Sequence, residues 1–516
     1  MKMRSFEVDG AKCAVRAPHL PLRLFLLCIA IVAGSTRAAA GGFDFEMLRA
    51  KAKALAAQPY VEAPSRVPEW LLKLSYDEHR KIRSNPNRSW WRQDGLPFQL
   101  QFFHPGFLLN RTVQISEIDG GKVEPIKFDR KFFIYDDVKT GELPSSMGFA
   151  GFRILYPLNK PDDELGAFQG ASYFRMLCRD AIYGLSARGL ALNTAEPGGE
   201  EFPTFTDFWV EKPAADANAM TVYALLNSPS VAGAYRFVLH PGAETVVDVR
   251  MALYFRRPVK TVGIAPLTSM FWHGENTNEA TDDFRPEVHD SDGLMIQTGA
   301  GEWVWRPLTN PKSVRVAAFG DEKPRGFGLF QRDRDFSHYQ DLEALYNRRP
   351  SVWVEPQAGW GRGSVRLVEI PTPDESNDNI VAFWCPDKGP AGGAPLELEY
   401  RLHWFMDQIR PPAGYTVSTR HGRTKTHETD LERFVVNFTG PYLSKQGPDP
   451  AIQPVVTVGQ GAQLAGAIVQ KNTYDGSWRV AFAIKPDGSG HPVELRCFLR
   501  KPPHVLTETW TYLWQP

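Results

Sequence analysis

From Phe98 onward the chain repeats one pattern. Short segments alternate apolar and polar residues with a period of two, and Gly, Pro and Asp separate them. FQLQFF, TVQISEI and KFFIYD open the series, and GFRILYP, SYFRML, FTDFWVEKP, TVYALL, AYRFVLHPG and TVVDVRMALYF continue it. Alternation puts every second side chain on one face of a strand, and closely spaced turn formers send the chain back antiparallel. The pattern therefore predicts an all-β fold dominated by a large β-sandwich. LELEYRLHW, Leu396 to Trp404, alternates strictly: Leu396, Leu398, Tyr400, Leu402 and Trp404 share one face, and Glu397, Glu399, Arg401 and His403 share the other. That is a strand with one buried side.

Two domains follow from the punctuation. Arg410-Pro411-Pro412-Ala413-Gly414 reads as a boundary. Beyond it RFVVNF, QPVVTV, SWRVAFAI, PVELRCFL and VLTETWTYLW match the length and strand number of an immunoglobulin-like sandwich. The expected division is 41–410 and 411–516. Helix is sparse. FDFEMLRAKAKALAAQ is one, with Asp44 as its cap and Pro59 as its stop. A short second helix is expected around Tyr76–Ile82, and Asp341–Arg349 reads as a short helix or lid-like loop.

Residues 1–40 read as a secretory leader. Basic residues precede the apolar run Leu24–Ala33, and Ala38-Ala39-Ala40 follows it. The run is too short to anchor a chain across a bilayer. It lacks a preceding Arg-Arg pair, so the general secretion route is expected, with the mature chain not integral to a membrane. The full sequence has 59 basic and 59 acidic residues in balance, so there is no electrostatic case for nucleic acid. Cys178, Cys385 and Cys497 remain after the leader, an odd number at wide spacing with no C-x-x-C, which argues against a disulfide framework and a structural zinc site.

Chemistry concentrates between Phe284 and Pro386, where carboxylates, amides and tryptophans alternate. Aromatic faces stack on pyranose C–H faces, and carboxylates and amides take sugar hydroxyls. Two carboxylates flanking a glycosidic bond are what its hydrolysis requires. HDSDG offers His289, Asp290 and Asp292; on its own it reads first as a turn and second as a catalytic or sugar-binding carboxylate, and a metal site there lacks a second ligand cluster. PDESNDN offers Glu375, Asn377, Asp378 and Asn379 on a loop leaving the strand VRLVEI. Trp303 and Trp305 share a strand face, as core or as sugar platform, and Trp353 and Trp360 bracket the acidic loop. GWGRGS has the wrong spacing for a phosphate loop, and no G-x-S-x-G is present.

These stretches, with FFHPGF, GFAGFR, GASYFR, YGLSARGLALNTA, FPTFTDFW, GEWVWRPL and VEIPTPDESNDNIVAFW, resemble the periplasmic glucan biosynthesis protein G/D family along essentially the whole mature chain. The missing twin-arginine leader favours the G branch. The resemblance implies a galactose-mutarotase-like N-terminal sandwich, an immunoglobulin-like C-terminal domain, a periplasmic location and a role in making osmoregulated glucans with a β-1,2-linked backbone. It implies an inverting β-1,2-glucanase that cleaves within the chain, with Asp378 as general acid, Asp290 as general base, and Glu375 and Tyr346 in support. His289, Asp292, Trp303, Trp305, Trp353, Trp360, Asn377 and Asn379 are the remaining candidates for holding the glucan. No metal or organic cofactor is implied. The alternatives are a non-catalytic glucan-binding or assembly factor working with the inner-membrane synthesis machinery, and a transglycosylase adding β-1,6 branches.

Overall fold

A computed structural model describes residues 42–516, apart from 279–280, 390–392, 408–410, 426–429 and 450. The expected leader, and Arg410 at the expected boundary, lie outside the described residues. No described helix is long and apolar enough to cross a membrane.

The protein is nearly all β. A ten-stranded sheet runs from Gln99–Phe102 at one edge, through Tyr173–Met176, Val262–Ser269 and Ile380–Pro386, to Arg315–Glu322 at the other. A fifteen-stranded sheet lies against it, with Thr245–Phe255 and Leu396–Phe405 near its middle. The two faces interlock through aromatic side chains. Phe152 and Phe168 meet Phe208, with centroids 5.1 and 5.5 Å apart, and Phe174 meets Phe237 at 5.2 Å. Each fully buried Phe contributes about 1.5–3 kcal/mol of transfer free energy, and these rings sit within the main core cluster between the two sheets. Leu396–Phe405 behaves as its alternation dictates: Leu398, Tyr400, Leu402 and Trp404 are buried, and Glu397, Glu399 and Arg401 are exposed.

The helix Phe45–Ala56 starts where Asp44 accepts a hydrogen bond from the Met47 amide at 2.8 Å. Its apolar face, Phe45, Leu48 and Ala52, covers Trp209, Tyr223, Ala234 and Ala252 on the outer side of the large sheet. This cover is why Val231–His240 is buried on both faces over its first half rather than alternating. The short helix expected around Tyr76–Ile82 forms as Tyr76–His79, opened by a Ser75–Glu78 capping box, and a further short helix, Glu69–Leu72, precedes it. Asp341–Arg349 holds a single 3₁₀ turn, Tyr346–Arg348.

A four-stranded sheet, Tyr415–Lys425, Asp430–Thr439, Trp478–Pro486 and Ala462–Lys471, packs Phe434, Trp478 and Phe482 against Trp510 and Tyr512. The strand Thr509–Trp514 belongs to the large sheet. It pairs in parallel with Trp303–Pro307 and antiparallel with Val493–Lys501, so the large sheet continues into the C-terminal region. Cys178, Cys385 and Cys497 are all buried and unpaired.

Candidate functional site

Asp290 and Asp378 meet because two loops are tied to the same pair of residues. The Asp290 amide donates to the Met270 carbonyl at 2.8 Å. The Asn379 side chain grips the next residue, accepting from the Phe271 amide at 2.8 Å and donating to its carbonyl at 3.0 Å. HDSDG and SNDN are thereby fastened to consecutive positions of one segment, and the Asp378 charge acts directly on Asp290.

The two carboxylates have different surroundings. Asp378 lies on an exposed loop, with an Arg175 guanidinium nitrogen 3.7 Å from its Oδ2. Asp290 is buried and paired with Arg349. Burial raises its pKa; Arg349 and Arg175 oppose that rise, and the Asp378 charge adds to it. Two acids placed in unlike environments are the usual basis for dividing acid and base roles.

Around them the loops are held by charge. Arg285 donates to Asp283 at 2.8 Å, Asp341 at 2.9 Å and Glu375 at 2.6 Å, joining three segments. Its hydrogen bond holds the Asp283 carboxyl down to about 2. Asp341 in turn accepts from the amides of Glu343 and Ala344 at 2.8 and 2.7 Å, which shapes the loop before Tyr346. Leu345 there has φ 47°, a left-handed conformation that is costly for a branched residue. Tyr346 is buried under the Arg349 guanidinium at 4.3 Å. Burial pushes its hydroxyl up to about 12, and both Asp290 and Glu375 are close enough to act on it. Asp290, Asp378, Glu375 and Tyr346 thus form one constellation.

Several other expected site residues sit elsewhere. His289 is fully buried, its ring nitrogens bonded to Gln331 at 2.8 Å and Glu287 at 2.9 Å and its face stacked on Phe271. Asp292 is half-buried; its Oδ2 accepts from the amides of Arg332 and Asp333, both at 2.9 Å, and its Oδ1 has no hydrogen-bond partner among the described residues. Asn379 has both ends of its amide engaged in fixing the loop. All three hold the site in place, and the bonded ring of His289 and amide of Asn379 leave no free polar group for a sugar. Asn377 is exposed on the acidic loop.

Trp305, Trp353 and Trp360 are buried packing residues, and Trp303 is half-buried beside them. A Cβ added at Gly293 would lie 2.1 Å from Trp305, and one at Gly326 would lie 2.1 Å from Trp353. Each indole lies flat over a glycine of the neighbouring strand and fills the space beneath the four-stranded sheet. Trp303 stacks on Trp353 at 5.8 Å. Trp360 is buried in the main core against Trp384 and Tyr400. The tryptophan beside the constellation is Trp272, half-buried, 6.0 Å from the Arg285 guanidinium.

Sequence reasoning passed over Arg175, Arg285, Arg349 and Trp272. Arg175 stands in GASYFR, and Arg349 closes the lid-like stretch, so their motifs were visible but their partners were not. Among the described residues, Glu287, Asp333 and His338 have metal-ligand spacing. Glu287 is bonded to His289, however, and Asp333 to His338 at 2.5 Å, so the three already have partners within the protein.

Comparison with known proteins agrees along the whole fold. Residues 43–514 match the family described as "Periplasmic glucan biosynthesis protein, MdoG". Glucans biosynthesis protein G of Ralstonia nicotianae is 47% identical over 501 residues, covering 95% of this chain and 99% of that protein. Its namesake in Pseudomonas aeruginosa is 43% identical over 504 residues, covering 93% and 95%. The Vibrio cholerae protein of the same name is 45% identical over 480 residues, covering 92% and 87%. With a match of this extent, the chain belongs to the periplasmic glucan biosynthesis family MdoG.

Proposed function

We propose that the protein acts in periplasmic glucan biosynthesis as an inverting hydrolase that cleaves within a β-1,2-linked glucan backbone. The observation that carries this reading is the constellation itself: two aspartates on distant motifs, one exposed beside Arg175 and one buried beside Arg349, each within reach of the other's charge.

In this reading Asp378 protonates the glycosidic oxygen of the departing chain. Arg175, 3.7 Å away, then stabilises the carboxylate left behind. Asp290 takes the proton from the attacking side. Its burial keeps it from meeting bulk water directly, so it draws the proton through a relay, a substrate hydroxyl or a held water, with the Tyr346 hydroxyl ordering that path. Arg349 favours the ionised form of Asp290, opposing the effect of its burial and of Asp378. Inversion requires room for water between the carboxyl groups, about 6.5–9.5 Å in direct mechanisms, and a relay lengthens that span. Glu375, fixed by Arg285, takes a sugar hydroxyl.

The family name and the leader-like residues 1–40 support a periplasmic setting, and the glucan itself is the expected partner. Incubation with linear β-1,2-glucan, followed by product sizing and anomer analysis by NMR, tests the reading. Shortened chains released with inverted configuration, and their loss in a folded Asp378→Asn variant, are expected. Unchanged polymer length with retained binding would make the protein a glucan-holding assembly factor, and new β-1,6 linkages would make it a branching enzyme.

A further inference from the structure

A groove of about 860 Å³ runs between the C-terminal strands and the segments that carry Trp272 and Asn310. That is the size of a small-ligand site. At its wall Glu432 is only 5% exposed. One carboxylate oxygen accepts from Arg423 at 3.0 Å, and the other, Oε2, has no hydrogen-bond partner among the described residues. A buried carboxylate oxygen without a donor is costly and calls for one from outside the chain. Arg423 already neutralises this carboxylate, which argues against a cation and for a neutral donor such as a hydroxyl.

The rest of the wall suits the same ligand. Asn278, bonded to His421 at 2.8 Å, is exposed, and Trp272 presents part of an indole. Arg315 is tied to Gln515 at 2.9 Å and faces Glu369 at 3.8 Å, so it leaves no unbalanced charge to attract an anion. Hydroxyls that both donate and accept, on rings with an apolar face, are the chemistry of pyranoses. The groove also borders the acidic loop. Thr372 forms part of its floor, is clamped by Asn310 at 2.9 and 3.0 Å, and donates to the Asp374 carbonyl at 2.7 Å.

We infer that this groove is a second carbohydrate-binding site, in which Glu432 accepts a hydroxyl from a stretch of glucan remote from the bond being cleaved. The choice of glucan as the ligand rests on the proposed function; the site itself rests on the unpartnered carboxylate and its surroundings.

The Asp378→Asn protein, which leaves the polymer intact, is titrated calorimetrically with linear β-1,2-gluco-oligosaccharides of increasing length. Affinity should rise with length. Adding Glu432→Gln should lower affinity for long chains about tenfold, the size of one charge-assisted hydrogen bond, and leave short-chain affinity unchanged. Asn278→Ala, on an exposed side chain, should weaken long-chain binding in the same direction, and serves if Glu432→Gln fails to fold. Equal affinity in the folded variants, or an equal loss for short and long chains, overturns the inference. Amide shifts of Gly422 and Gln515 on glucan addition report the groove separately. Shifts without cleavage by the unsubstituted protein would keep the groove and sink the hydrolase; cleavage without shifts would do the reverse.

Discussion

Replacing Arg349 by Met tests the assignment of Asp290 most directly. The pair is largely dry: 6% of the Asp290 side chain and 18% of the Arg349 side chain are exposed. Burial already raises the Asp290 pKa, and Arg349 is the largest influence opposing it. Removing one partner of a buried pair costs about 3–5 kcal/mol, and each 1.4 kcal/mol is about a factor of ten. If the lower figure falls on ionisation of Asp290, its ionisation constant drops about a hundredfold, a shift of about two pH units. A general base works only when ionised. The sign is therefore fixed: the acidic limb of kcat/KM moves about two pH units higher, and activity on the acid side of the original limb falls about a hundredfold. It should then recover about tenfold per pH unit until the new limb is passed. The assay is a pH–rate profile of β-1,2-glucan cleavage, with thermal melts to confirm folding. Arg349→Lys, which keeps the charge, should restore most of the limb. A uniform loss at every pH would refute the argument, since Arg349 would then position the loop and leave ionisation alone. An unchanged rate would remove Asp290 from the role of base.

Three further outcomes are expected. Glu508, fully buried, receives both Arg332 nitrogens at 2.7 and 2.9 Å and the Thr416 amide at 2.8 Å; Glu508→Ala should cost about 3–5 kcal/mol in urea unfolding, and Glu508→Leu with Arg332→Met should recover much of it, so equal losses for both would contradict the pair's role. Burial lowers the His289 imidazole, but its bond and pairing with Glu287 outweigh that and raise it to about 9; the advantage of the unsubstituted protein over His289→Gln should be full below about pH 6.5 and shrink as pH rises through about 9, and a difference independent of pH would contradict it. Arg285→Met frees Asp341 and Glu375 together, so hydrogen exchange in 341–349 and 374–378 should accelerate at least tenfold, each lost charged hydrogen bond being worth about 1.5–3 kcal/mol; unchanged exchange would mean the loops do not depend on this clamp.

What was legible in the chain was what is local. Asp44 capping a helix and the alternation of Leu396–Trp404 need only a few neighbouring residues, and both appear as expected. The tryptophans show where locality ends. Trp303 and Trp305 share a face, but nothing nearby says whether that face meets sugar or core. The answer lies in Gly293 and Gly326, which leave room for Trp305 and Trp353 on neighbouring strands. His289, Asp292 and Asn379 were drawn in by proximity to acids in the sequence, and their hydrogen bonds turn them to holding the loops. Arg175 and Arg349 stand in visible motifs, but their importance comes from partners on other motifs.

The pairing of Thr509–Trp514 with Trp303–Pro307 bears on how the chain reaches its final form. Val304 meets Thr509 and Trp305 meets Trp510 across more than two hundred residues of intervening sequence. Until synthesis delivers those last residues, the earlier strand has an open hydrogen-bonding edge beside a large indole, an arrangement prone to pairing with other molecules. A nascent chain must therefore be shielded until nearly all of it has emerged. Shortening the C-terminus by a single strand would leave that edge permanently open, and aggregation of the truncated chain is the expected result.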